Sequence, residues 1–65
     1  MTKKDITNTI KYIKSVAGDD EIAHNAEDEL HEEFIEYIAK REDHLGEKAR
    51  LILTTRDINF ERFSA

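Results

Sequence analysis

There is no cysteine in this 65-residue chain, no proline and no tryptophan, and there are only two glycines. Each absence removes a class of answers. Without cysteine there are no disulfides and no thiolate metal sites. Without proline, and with so little glycine, helices run with few internal breaks. No apolar run approaches the roughly 20 residues that a membrane span requires. The opening MTKKDITNTI lacks the apolar stretch of a signal peptide. A cytoplasmic protein with no membrane partner is the expectation. A chain of 65 residues makes one domain at most. Burial in so small a core barely offsets the entropy of ordering the chain. Small domains close that gap with disulfides, which are excluded here, with a metal, or by oligomerisation.

What is present is charge, unevenly placed. The net charge is −5, but residues 1–18 carry +3, residues 19–36 carry −9 with no Lys or Arg, and residues 37–65 carry +1. A basic first segment beside an acidic second one neutralises it in part, and charged faces are ordinarily solvent faces.

The acidic stretch organises the chain. DDEIAHNAEDELHEEFIEYIAKRE, Asp19 to Glu42, reads as one long amphipathic helix. Ala23, Ala26, Leu30, Phe34, Tyr37 and Ile38 fall on one arc at helical spacing, and residues 27–33 do not alternate as a strand would. Asp19 follows Gly18 as a capping carboxylate, and Asp20 and Glu21 suit the positive end of the helix dipole. Lys40 and Arg41 suit its negative end. Upstream, Thr2 and Asp5 have the spacing of a capping box. Ile6, Ile10, Ile13, Val16 and Ala17 then recur helically, so a first helix is expected over about residues 3–17, ending at Gly18 in the left-handed conformation. Gly46 is expected to end the second helix in the same way, after about residue 42. A third helix over about 47–55 carries Ala49, Ile52 and Leu53, and a short terminal turn is expected over about 57–63. Ile58, Phe60 and Phe63 make that tail too apolar for disorder. The fold expected is all-α: a small three-helix bundle, one domain over residues 1–65, with the apolar C-terminal tail packed on it. Its core should be Ile6, Ile10, Ile13, Leu30, Phe34, Ile38, Ala49, Ile52 and Phe60. On that basis Phe34→Ala should cost about 3–5 kcal/mol.

No constellation rises to a catalytic signature. His24, Asp28 and His31 line one edge of the second helix at a spacing compatible with a metal ion. No second helix offers the matching Glu-x-x-His of a di-metal bundle. The plainer account is two boundary histidines, with Glu27 paired to Arg50 or Lys14. His31-Glu32-Glu33 begins like a zincin motif, but Ile35 stands where the second His is needed. Carboxylates are plentiful, yet a general acid requires a pocket to raise its pKa. Neither a metal nor a cofactor is expected, and the protein is read as a non-enzyme. The N-terminal lysines do not suffice for direct nucleic-acid binding beside a −9 segment.

Two binding functions remain. A small helical module can self-associate through Ile22, Ile35 and the tail. Alternatively, Asp28, Glu29, Glu32, Glu33 and Glu36 form a partner-binding row that imitates duplex phosphates and enters the basic groove of a nucleic-acid-processing enzyme.

AHNAEDELHEEFIEYIA and LTTRDINFERFSA are similar to segments of short accessory proteins of bacteriophages and prophages. Glu27, Asp28, Leu30, Phe34 and Ile35 match an E-D-x-L-x-x-x-F-I core. Asp57, Ile58, Phe60, Arg62 and Phe63 match a D-I-x-F-x-R-aromatic ending, in which Trp often stands where this chain has Phe63. The resemblance covers roughly the C-terminal two thirds of the chain. It implies a phage accessory protein with the tail as part of the fold, and it carries no activity and no site.

Overall fold

A computed structural model describes residues 1–61. The protein is all-α: helices α1 (Lys3–Ser15), α2 (Asp20–Ala39) and α3 (His44–Leu53), then a 3₁₀ turn, Thr54–Asp57.

The N-terminal ends follow local sequence rules. The Thr2 hydroxyl accepts from the Asp5 N–H at 3.1 Å, and Asp5 Oδ2 accepts from the Thr2 N–H at 2.9 Å, so the capping box is complete. Asp19 Oδ1 accepts from the Ile22 N–H at 3.2 Å and starts α2. The C-terminal ends do not follow the expected rule. No described glycine has positive φ. Helix α1 stops at Ser15, two residues early, where the Val16 N–H turns back to the Tyr12 and Ile13 carbonyls at 3.1 and 3.2 Å.

Gly46 does not end α2; it lies inside α3. The second helix stops at Ala39, and Asp43 caps the third, Oδ1 accepting from the Gly46 N–H at 3.0 Å. Gly46 is glycine for steric reasons. A Cβ there would overlap the Arg41 carbonyl oxygen and lie 2.8 Å from its carbon. Two neighbouring side chains fix this corner. Arg50 Nη1 donates to the Ala39 and Arg41 carbonyls at 2.6 and 2.9 Å, satisfying acceptors that the end of α2 leaves open. Arg41 donates to Asp43 Oδ2 through Nε at 2.9 Å and Nη2 at 2.6 Å. Arg50 is thus occupied at the corner and not at Glu27.

The three helices lie in a single layer. The Cα trace measures 39 × 33 × 9 Å, where a second helix layer would add about 8–10 Å of depth. The radius of gyration is 13.7 Å, against about 11 Å for a compact chain of this length. Helix α2 packs with α3 and with α1, and α1 and α3 do not pack on each other. The core expectation is therefore corrected. Ala49, 6 % exposed, is the one buried apolar side chain among the described residues. Ile6, Ile13, Leu30 and Ile38 are half-buried. Ile10, Phe34, Ile52 and Phe60 stand 41, 47, 54 and 55 % exposed. The stripes are where periodicity put them, but a layer one helix thick has nothing above them. The terminal turn also comes earlier than expected, at Thr54–Asp57. Ile58 leaves it in extended backbone, and Phe63 lies outside the described residues.

Two predictions follow from the corner. Gly46→Ala should cost about 1–3 kcal/mol, because the obstructing atoms are backbone and cannot rotate away; an unchanged urea midpoint would remove the steric account. Asp43 is held well below the ordinary 3.8, to about 2, first by the hydrogen bond from Arg41 and then by the Gly46 N–H. Since the folded value is the lower one, its contribution is complete above the unfolded value and disappears as pH falls through about 2. A carboxyl titration of Asp43 by NMR should find its midpoint near 2 in the folded protein, and Asp43→Asn should flatten that part of the acid profile.

Candidate interaction surfaces

A layer of helices has two broad faces, and α2 divides them by composition. One face is polar. Asp28, Glu29, Glu32, Glu33 and Glu36, the five carboxylates singled out by sequence, line one open concavity of about 420 Å³ together with Asn25. They meet because they lie on consecutive turns of a single helix. Two of these carboxylates are already bridged by a cation from the same chain. Arg56 Nη1 donates to Glu32 Oε1 at 2.8 Å and to Glu36 Oε1 at 3.0 Å. Glu32 and Glu36 are an i, i+4 like-charge pair, so Arg56 relieves a repulsion within α2 while tying the end of α3 to it. The same contacts raise the Arg56 pKa above its ordinary value, the Glu32 hydrogen bond contributing most. Sequence reasoning did not find this bridge. Arg56 is 24 and 20 residues away from its two partners, and no local pattern connects them.

The histidine set does not converge. His24 Nε2 lies 3.4 Å from Asp28 Oδ2, while His31 lines both an apolar groove and a shallow concavity that includes Asp28 and Glu32. Among the described residues no group of three or more His, Asp or Glu is placed to hold a metal ion. No helix of the described residues is long and apolar enough to cross a membrane.

The other face is apolar. Two grooves run along it, one on each side of α2. Against α1, a groove of about 370 Å³ is lined by Ile6, Leu30, His31, Phe34 and Ile35. Against α3, a groove of about 330 Å³ is walled by Phe34, Ile35 and Ile38 on one side and by Leu45, Ala49 and Ile52 on the other. Lys48 adds its methylene stem to the second groove, an arrangement that lets the ammonium reach water. Phe34 and Ile35 line both grooves and form the ridge between them. The arc read from the sequence omits Ile35, which is expected with Ile22 and the tail to serve self-association. The structure instead puts Ile35 beside Phe34, because α3 meets α2 on the edge that Ile35 faces.

No family model, curated protein or solved structure matches this chain.

The Arg56 bridge joins exposed groups, so salt should govern it. Arg56→Gln is expected to lower the melting midpoint slightly in dilute buffer, and about 1 M salt should erase the difference. A loss of equal size at both salt concentrations would mean that Arg56 acts through packing.

Proposed function

We propose that this protein is a small, non-catalytic protein-interaction module that acts by self-association through the apolar face of its helical layer, of the kind found among bacteriophage accessory proteins. One observation carries the reading: among the described residues the protomer fully buries no large apolar side chain. Hydrophobic burial is the main favourable contribution to folding, and a contiguous apolar face on a soluble chain marks an interaction site. Phe34, Leu45 and Ile52 are about half exposed and stand on the same face. They reach the burial their size calls for only when another surface covers them.

A second reading has its own observation, the five carboxylates gathered in one concavity. Such a row could enter a basic groove built for phosphates. Its dimensions argue for the first reading. From Asp28 to Glu36 the helix rises about 12 Å, which matches only three or four phosphates of one strand at about 3.4 Å each. Glu32 and Glu36 are also partly neutralised by Arg56. A catalytic role for these carboxylates lacks support of the needed kind, since the concavity is open to water and general acids depend on enclosure.

The two readings respond oppositely to salt. Sedimentation equilibrium should find an oligomer that persists at about 1 M salt, whereas an electrostatic complex would dissociate there. The thermal midpoint should rise with protein concentration, as it must when folding and association are linked. Phe34→Asp should abolish both behaviours. A chain that sediments as a folded monomer at all concentrations, with a concentration-independent midpoint, would overturn the proposal.

A further inference from the structure

Resting on that reading, we infer that the assembly closes at two copies, related by a two-fold axis that passes beside the Phe34–Ile35 ridge, with the acidic faces pointing outward on both sides. Three features of the protomer support this.

The first is area. A compact monomer of 7.6 kDa exposes about 4,300 Å², and this chain exposes 5520 Å². The excess is about 1,200 Å² per chain, or about 2,400 Å² for a pair, which falls in the range of obligate homodimers. One face-to-face contact between two copies would bring the exposed surface to what a folded protein of this mass normally retains.

The second is shape. Phe34 and Ile35 form a ridge with an apolar groove on either side. A ridge flanked by grooves is complementary to its own copy: turned about a two-fold axis, the ridge of each chain enters a groove of the other. This is the ridge-into-groove packing of helix layers, and an isologous contact requires a patch that matches itself. An unrelated partner would need to reproduce the same relief.

The third is closure. A stack of layers grows if both faces are sticky. Here the second face carries Asp28, Glu29, Glu32, Glu33 and Glu36. Covering them with a further copy would remove several carboxylates from water opposite their own duplicates, which is costly. Growth therefore stops after one contact.

The chain has no cysteine among its 65 residues, so single cysteines report proximity without background. Ile35→Cys lies on the ridge, His31→Cys lies one turn along it on an exposed position, and Glu29→Cys lies on the acidic face. Each full-length variant is first sedimented to show that it keeps the parent mass, then treated with a short bismaleimide spacer. Neighbours across an interface react at an effective concentration near millimolar, so the ridge cysteines should link roughly a hundredfold faster than Glu29→Cys at about 10 micromolar protein. The product should stop at dimer. If the parent dimerises but neither ridge cysteine links, the axis is elsewhere and this inference fails, while self-association stands. Assemblies larger than a dimer, or equally fast linking at Glu29→Cys, would overturn closure. A monomeric parent would overturn the underlying reading itself.

Discussion

The Arg41 carbonyl rests against the Cα of Gly46, and the arrangement of α2 and α3 depends on that approach. Only a residue without a Cβ lets α3 begin so close to the end of α2. Once it does, Arg50 reaches back to the Ala39 and Arg41 carbonyls, and Asp43 serves Gly46 and Arg41 together. These contacts hold α3 alongside α2 instead of letting it swing away. Ile35 and Ile38 then face Leu45, Ala49 and Ile52 across a groove, and Arg56 reaches Glu32 and Glu36. Polar contacts at the corner thus determine where the apolar surface lies, although hydrophobic burial must supply most of the stability.

That surface is large for the chain that bears it. A single layer of three helices cannot enclose a side chain from all sides, so its apolar residues are half-covered at best. Phe34 illustrates the consequence. The truncation cost of a buried Phe comes from lost transfer and the cavity left behind. At 47 % exposure Phe34 realises only part of that in one protomer. Truncating Phe34 in a single chain therefore removes less than the burial of a whole Phe would.

The sequence was informative wherever the determining interaction is local. The Thr2–Asp5 box and the Asp19 cap span three residues and were read correctly, because a side chain reaching a backbone N–H one turn on needs no tertiary context. The five carboxylates were legible as a group because one helix carries them all. Gly46 was misread because a glycine before an apolar helix has two meanings. It can end the preceding helix in a left-handed turn or admit a close approach, and the Arg41 carbonyl that decides between them is a property of the corner. The core was half legible. Period 3.6 identifies which side chains share a face, and an open layer produces the same stripes as a closed bundle. Arg56 was invisible for a similar reason, its partners being a helix away.

The helices are not equally attached. At the α2–α3 junction a carboxylate, two guanidiniums and a close backbone contact join the elements. Between α1 and α2 the turn runs through Gly18, whose surroundings are open, and the packing is sparser. Local opening follows such differences in attachment. Amide protons of α1 should therefore exchange through a lower-energy opening than those around the α2–α3 corner, and the hairpin of α2 and α3 becomes the last unit to melt. A chain that sheds its first helix before the others exposes Ile6 and the wall of the groove it lined.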